Sequence, residues 1–214
     1  MISLPLNSWP RDTFEQTVQS RSYDTAMADI ATKAAELDNP DAMEEEGYLL
    51  WVMGRLMMVE DLPAPPVELY DAHPEGSGVQ VFRQRMGRVE FCHLLFEPGS
   101  VIPFHDHWNC NGVMRVLRGE VTTHNYDLLE QGLDGMVLQP SVQVWMTPGR
   151  MLSLSRHRDN IHQVTAGPDG AHVLDVFTLL GSGAGSRYMQ VGAPGSASRS
   201  DLAIARWVHP ENEE

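Results

Sequence analysis

Hydrophobic and polar positions change their spacing near residue 78, and the two parts of the chain predict different elements. Residues 11–38 are rich in Ala and Glu with apolar residues at helical spacing, and residues 42–58 read as a second helix. Between them, Asn39-Pro40-Asp41 supplies an N-cap residue and a proline at the first helical position. Residues 60–78 carry four prolines and two glycines, which predicts a connection that ends the helical part.

Beyond Gly78, short segments rich in Val, Phe, Leu and Met recur between turn signals such as PGS, PGR, GPDG and GSGAG. This texture predicts an all-β sandwich or barrel. The predicted strands lie in 79–86, 88–97, 101–107, 113–128, 142–148, 151–155, 161–166 and 171–180. We therefore expect one domain over residues 1–214: a helical region (1–60) packed on a barrel (78–190), followed by a C-terminal extension (191–214). Within this extension, residues 192–201 and the final HPENEE are expected to be loosely ordered or to lie on the surface.

Charge and cysteine content narrow the function classes. The formal net charge is -14, which argues against a nucleic-acid or anionic-membrane partner because phosphate binding needs clustered Lys and Arg. The most apolar window, residues 48–54, is far too short to span a membrane, and the first ten residues are a poor signal peptide. With only two cysteines, Cys92 and Cys110, the expected setting is a reducing cytoplasm.

The most informative motif is PFHDHWNCNGVMRVLRGEV, residues 103–121. In a strand, His105 and His107 point to one face while Asp106 points away, so the two imidazoles can chelate one ion. The frame PGSVIPFHDH followed by VLRGEV resembles the first signature motif of cupins, which are double-stranded β-helix (jelly-roll) barrels with a metal inside the mouth. This resemblance implies a further histidine on a later strand, and DNIHQV supplies His162. It also implies, in many members, a glutamate four or five residues after the second histidine, where this chain has Asn111 and Gly112.

The missing carboxylate changes the chemistry of the expected site. A two-histidine, one-carboxylate site gives iron one negative protein ligand, whereas a three-histidine site is neutral and leaves the ion its full positive charge. Such an ion attracts an anionic ligand, and a thiolate is suitable because metal binding deprotonates a thiol. Zinc cannot cycle electrons. The residues alone therefore permit either a three-histidine zinc hydrolase or a three-histidine iron dioxygenase.

A narrower resemblance favours the iron enzyme. HDH followed by GVMRVLRGEV, then NIHQVTA and AHVLDVF, is similar to the thiol dioxygenases, and in particular to the branch containing 2-aminoethanethiol (cysteamine) dioxygenase and the plant cysteine oxidases. The likeness covers roughly residues 80–190. It implies a cupin fold, a mononuclear non-haem Fe(2+) held by His105, His107 and His162, and oxidation of a thiol to a sulfinic acid.

The resemblance also suggests further site residues. Asp175 shares a predicted strand face with Val173 and Phe177, and we expect it to orient a ligand histidine or to meet the substrate; a strand-end aspartate turned to solvent is the alternative. Tyr188 is the second catalytic candidate, as a hydrogen-bond partner for substrate or oxygen; a packed surface tyrosine is the alternative. The substrate-binding candidates are Arg83, Trp108 and Phe177.

Two departures separate the chain from the cysteine dioxygenase branch, in which a cysteine five residues after the second histidine is cross-linked to a tyrosine. Those positions correspond here to Gly112 and Phe177, so that cross-link cannot form. The partner of Tyr188 in a second such pair would be Ser186, which excludes a thioether there as well. Neither Arg83 nor Arg85 aligns securely with the arginine that holds a substrate carboxylate in the amino-acid-specific members.

The resulting hypothesis is an Fe(2+)-dependent dioxygenase that acts on a small-molecule thiol and O2, as a monomer or homodimer. Two alternatives remain open: a cupin dioxygenase or hydrolase that acts on a non-thiol compound, and a non-catalytic cupin that binds a small molecule. The sequence does not name the thiol.

Overall fold

Two helices precede the strands in the computed structural model, which describes residues 22–60, 62, 65, 67–74, 78–132, 135–192 and 201–208. Helix α1 spans Tyr23–Ala35 and helix α2 spans Ala42–Met57. Residues 11–21 of the predicted first helix and most of the predicted loose tail lie outside the described residues. No helix in the described ranges is long and apolar enough to cross a membrane.

Helix α2 begins at Ala42, as the sequence predicts, but its cap differs from the expected one. The N-cap is Asp41, whose carboxylate accepts from the Met43 and Glu44 amides while the Glu44 carboxylate accepts from the Asp41 amide. This reciprocal capping box satisfies amides that have no partner inside the helix. Asn39, the residue expected to cap the helix, instead takes a left-handed conformation with φ of 45° in the link from α1.

Ten strands follow in the described residues, and the hydrophobic alternation of the second part of the chain explains their two faces. Strands β1 to β10 span Asp71–Ala72, Val79–Met86, Val89–Phe96, Val101–Trp108, Cys110–Gly132, Gly135–Met146, Met151–Leu154, Ile161–Leu179, Gly185–Val191 and Ala203–Trp207. A short 3-10 turn covers Val67–Leu69.

The strands form one antiparallel sheet that closes on itself, as a cupin jelly-roll barrel requires. The order is β1-β2-β3-β8-β4-β9-β10-β6-β5-β7, and the additional pairing of β8 with β5 completes the ring. Strands β5 and β8 are the longest, and each contributes to both walls of the barrel. The predicted mainly β, cupin fold with an N-terminal helical segment is confirmed.

Strands β5 and β8 bend where glycines interrupt their pairing. The register runs from Cys110 opposite Leu179 to Gly119 opposite Ala171, and resumes with Val121 opposite Ala166. Gly119 has φ of 66°, and a Cβ atom there would collide with the carbonyl of Gly170. The GPDG segment is therefore a bend within β8 and not a turn between two separate strands.

The barrel interior and the helix interface use opposite faces of the same strands. The interior is apolar away from the histidines, and includes Val81, Leu94, Met114, Val116 and Val173. On the outer face, residues of β3, β5 and β8 pack against the two helices in a second core that contains Ile30, Leu49, Val52, Phe91 and Leu174. The helices thus cover one outer wall of the barrel.

The last strand lies in the segment that the sequence analysis treats as an extension. Strand β10 pairs with β9 through Ala205 opposite Val191, and with β6 through Ala203 opposite Leu138. Ala203 and Ala205 are fully buried. Residues 203–207 are therefore part of the barrel wall, between the two segments, 192–201 and 209–214, that the sequence predicts to be loosely ordered or surface-bound.

Candidate metal centre

Three histidines meet inside the barrel, where strand alternation turns them inward. His105 and His107 lie two residues apart on β4, and His105 pairs directly with His162 near the start of β8. One ligating atom from each residue lies within 4.8 Å of the others, and all three residues are buried. A His triad is thus positioned for metal binding, as the spacing of His105 and His107 and the resemblance to cupins imply.

Hydrogen bonds on the far side of two rings leave their Nε2 atoms for an ion. His105 Nδ1 lies 2.8 Å from the Pro103 carbonyl, so Nδ1 carries the proton. His107 Nδ1 lies 3.3 Å from the Ser186 hydroxyl, and its buried Nε2 has no hydrogen-bond partner among the described residues. Partners of this kind set the tautomer and orientation of metal-ligating histidines.

Burial keeps the three rings neutral, which is the form that binds a metal. Removal from water lowers the pKa of His105 from 6.5 to about 4. Burial also holds the pKa of His107 and of His162 well below the ordinary value, and the neighbouring histidines add to the effect. Three neutral imidazoles with converging nitrogens fit one divalent ion of the imidazole-binding kind.

Asn160 joins two of the ligand strands, a role that its place in the sequence does not predict. Its side-chain oxygen accepts from the His107 amide at 3.0 Å, and its Nδ2 lies 3.4 Å from the His107 carbonyl. Because Asn160 lies two residues before His162, it links the backbones that carry both ligands. The only sequence signal was its place in DNIHQV.

The aspartate of the HDH motif braces the outer side of the same strand. Asp106 forms a two-pronged ion pair with Arg187, its cross-strand partner on β9. The Arg187 guanidinium lies between two aromatic rings, 4.2 Å from the centroid of Trp108 and 4.4 Å from that of Trp207. Arg187 therefore ties β4, β9 and β10 together behind the histidines.

Trp108 does not line the cavity, contrary to its assignment as a substrate-binding residue. Successive residues of a strand point to opposite faces, so Trp108 shares the outer face with Asp106 and not the inner face with His107. About half of its side chain is exposed, and it packs on Arg187.

A cavity of about 360 Å³ opens from the histidines toward the surface. Besides His105 and His107, four of the sequence-predicted residues line it: Arg83, Asp175, Phe177 and Tyr188. The Tyr188 ring lies 5.3 Å from the His105 ring and the Phe177 ring lies 4.4 Å from the His107 ring. The cavity wall also contains Arg85, Glu90 and Cys92, so basic and acidic groups both face it.

Arg83 reaches the cavity from β2, but an acidic neighbour competes for it. Its Nε lies 3.7 Å from a carboxylate oxygen of Glu90, and about half of its side chain is exposed. Arg85, on the same strand face, donates to the Gly87 carbonyl. An anionic substrate group would meet Arg83 only by sharing or displacing Glu90.

Asp175 lies on the inner face of β8 between Cys92 and Met114 of the neighbouring strands. Burial raises the pKa of its carboxyl from 3.8 to about 7. Its Oδ1 is enclosed and has no hydrogen-bond partner among the described residues. The carboxyl is therefore able to exchange a proton near neutral pH inside the cavity, as a solvent-facing strand end would not.

Gly112 and Phe177 are cross-strand neighbours on β5 and β8. A Cβ atom at residue 112 would lie 2.7 Å from the Phe177 ring, so the ring occupies the space that a side chain at 112 would need. Cys110, two residues earlier, is buried, and burial raises the pKa of its thiol to about 11. Although Cys110 also lines the cavity, its thiol is therefore protonated near neutral pH and is not a reactive nucleophile.

Comparisons with known proteins agree with this site. Residues 79–179 match the family model described as PCO_ADO. The 2-aminoethanethiol dioxygenase of Mus musculus is 31% identical over 106 residues, which cover 39% of this chain and 41% of that protein. These matches confirm the resemblance to the cysteamine dioxygenase and cysteine oxidase branch over the barrel, while the chain spans less than half of the mouse protein's length.

Solved structures of low identity are also similar. A cupin from Shewanella frigidimarina is 18% identical with a TM-score of 0.40, and the alignment covers 56% of this chain and 92% of that one. The coconut allergen cocosin is 12% identical with a TM-score of 0.45, and the alignment covers 59% of this chain and 32% of that one.

Proposed function

We propose that this protein, whose barrel matches the PCO_ADO family, is a mononuclear non-haem iron thiol dioxygenase. It adds both atoms of O2 to the sulfur of a small-molecule thiol and yields a sulfinic acid. The observation that carries the proposal is the neutral three-histidine cluster, with no carboxylate in it among the described residues, of which His105 and His107 line a 360 Å³ cavity.

The ligand set favours a thiol substrate. His105, His107 and His162 would hold Fe(2+), which would supply the redox chemistry for the reaction of the thiol with O2. His105, His107 and His162 are neutral, so the ion keeps its full positive charge and would attract an anionic ligand. A thiol that binds the ion has a lower pKa and would bind as the thiolate. The PCO_ADO match supports iron, because a zinc site could not exchange electrons with O2.

Residues of the cavity wall position the thiol. Phe177, with its ring against His107, and Tyr188, beside His105, shape the space next to the ligands. Asp175, with a pKa of about 7, accepts the proton that the thiol loses or hydrogen-bonds to a substrate amine. If the thiol substrate carries a carboxylate, the Arg83 guanidinium binds it.

We also propose a cellular compartment and an oligomeric state for the protein. Both cysteines are free thiols, which suits a reducing cytoplasm. A monomer or homodimer is proposed, with a single domain in which the barrel and the helices share one core.

The test combines metal analysis with oxygen uptake. The purified protein should contain iron and consume O2 on addition of one or more thiols from a panel of cysteamine, cysteine, 3-mercaptopropionate and a peptide with N-terminal cysteine. If Arg83 binds a carboxylate, the KM for 3-mercaptopropionate should lie below that for cysteamine. Zinc in place of iron, or iron without a thiol response, would contradict the proposal and favour a non-thiol or non-catalytic cupin.

Replacement of His162 tests the ligand assignment. His162→Ala should lose metal retention and thiol-dependent O2 uptake together, because two ligands on one strand hold an ion far more weakly than three. His124→Ala, a half-buried outer-face residue of β5, is the matched control and should retain both. Full iron content in His162→Ala would show that His162 is not a ligand.

A further inference from the structure

A second, much smaller cavity lies against His162. It measures about 10 Å³ and is lined in part by Thr123, Asn125, His162, Asp175 and Phe177. Asp175 and Phe177 also line the large cavity, so these two side chains separate the two spaces. Its volume is close to the smallest in which one water molecule fits.

Four polar atoms around this cavity have no hydrogen-bond partner among the described residues: Thr123 Oγ1, Asn125 Oδ1, His162 Nδ1 and Asp175 Oδ1. Thr123 is fully buried, Asn125 is 2% exposed and His162 is 6% exposed. The Asn160 backbone interacts weakly with the His162 ring and slightly offsets the lowering of its pKa, but no hydrogen bond of normal geometry reaches Nδ1. Such a concentration of unpaired buried groups is costly unless a further molecule pairs them.

The strand register brings the four groups together. Asn125 on β5 pairs directly with His162 on β8, and Thr123, two residues earlier on the same face, pairs with Val164. The Asn125 Nδ2 donates to the Asp159 carbonyl at 3.0 Å, so the amide oxygen is the group that remains for the cavity. The arrangement is a consequence of barrel pairing and is not visible in sequence spacing.

We propose that one ordered water molecule binds in this cavity and that Thr123 and Asn125 are positioning residues for His162. The water accepts from the Nδ1–H of His162 and from the Thr123 hydroxyl, and donates to Asn125 Oδ1 and to Asp175 Oδ1. These four bonds use both donors and both acceptors of one water and satisfy every unpaired atom named above. Polar lining of this kind favours water over a nonpolar gas molecule.

The water gives His162 a hydrogen-bond partner at Nδ1, as direct contacts do for His105 and His107. The Pro103 carbonyl holds the proton of His105 on Nδ1, and Ser186 lies against Nδ1 of His107. For His162 the water would play this part and leave Nε2 for the metal. This inference rests on the proposed metal site, since a ring that binds no ion has no need of a fixed tautomer.

A matched set of threonine variants tests the proposal. Thr123→Val keeps the shape but removes the hydroxyl, Thr123→Ser keeps the hydroxyl, and Thr122→Val makes the same change on the outer face of β5. The dissociation constant for Fe(2+) is measured anaerobically against a competing chelator, with circular dichroism as the check on folding. We expect about tenfold weaker binding for Thr123→Val and near-native binding for the other two variants.

A crystal structure that resolves ordered solvent gives the second measurement. A water within hydrogen-bond distance of all four atoms is the expected result. A dry cavity, or Thr123→Val that binds Fe(2+) as tightly as the native chain, would overturn the inference. Neither measurement uses a thiol, so failure of the proposed activity, seen as iron binding without thiol-dependent O2 uptake, is distinguished from failure of the water site.

Discussion

At the scale of single residues, Gly112 shows how a missing side chain shapes the site. The position lies on the strand after the HDH motif, where the sequence analysis noted neither a ligand carboxylate nor a cross-linking cysteine. The Phe177 ring fills that space and also lies 4.4 Å from the His107 ring. Glycine at position 112 therefore allows the Phe177 ring to pack directly against the candidate ligand His107.

Gly112→Ala should destabilise the protein by about 1–3 kcal/mol, because the new methyl group would overlap the Phe177 ring in a packed interior. Chemical denaturation measures the change in unfolding free energy. Gly185→Ala is the control, since a Cβ atom there meets nothing within 4 Å. If the overlap is the cause, Gly112→Ala combined with Phe177→Leu should recover much of the loss; equal unfolding free energies for Gly112→Ala and the native chain would refute the packing argument.

Residue patterns in the sequence predicted the inward face of the site well, because strand periodicity decides it. The strand alternation that places His105 and His107 on the inner face also turns Trp108 outward. Trp108 therefore packs on Arg187 and does not line the cavity. Asp175 and Phe177 lie inward as their shared face predicts. Thr123 and Asn160 could not be identified in this way, because their partners lie 35 or more residues away in the chain.

At the scale of elements, the ligand strands are held by contacts from several directions. The segment before β8 is fixed by α2: the buried Glu45 carboxylate accepts from the backbone and side chain of Arg156, and Glu46 pairs with Arg158. Asp159 follows with φ of 55°, its amide donating to Asp127. A non-glycine residue keeps this conformation only where its surroundings over-determine it. The result is a rigid approach to Asn160 and His162.

Asn160→Ala should weaken metal binding about tenfold, because it removes the side chain that holds the His107 backbone next to the strand of His162. The loss of two hydrogen bonds should also lower the unfolding free energy by about 1–3 kcal/mol. Chelator competition and denaturation measure the two effects. Gln163→Ala, on the outer face of the same strand, should leave metal affinity near the native value. Unchanged affinity in Asn160→Ala would show that the ligand strands hold their geometry without this bridge.

At the scale of the whole molecule, the strand content and the jelly-roll class followed from short apolar segments between turn signals. Closure of the barrel did not, because it depends on β10 and on the double pairing of β5 and β8, which join residues far apart in the chain. The helices lie on the outer wall formed by β3, β5 and β8, where Tyr48 hydrogen-bonds to Thr178 at 2.7 Å. Their amphipathic pattern predicts a buried face but not which wall of the barrel receives it.

That outer wall contains a buried histidine pair away from the metal centre. His93 on β3 lies 3.1 Å from His172 on β8, and the Tyr23 hydroxyl of α1 lies 3.3 Å from the other side of His93. Burial lowers the pKa of both histidines from 6.5 to about 4. A neutral pair can share a hydrogen bond, whereas two imidazolium rings at this distance would repel each other.

Acidification should therefore destabilise the native barrel through this pair. Because the folded-state pKa lies below the unfolded value, the unfolded chain binds more protons, and stability that is fully present above pH 6.5 is lost as the pH falls toward about 4. Each histidine contributes about 1–2 kcal/mol between about pH 7.5 and pH 5. The measurement is urea unfolding of the metal-free protein at both pH values, for the native chain and for His93→Gln with His172→Gln. The remaining buried histidines titrate alike in both proteins, so the double variant should lose about 2–4 kcal/mol less on acidification. An identical pH dependence would show that the pair is already charged, or already solvated, in the folded state.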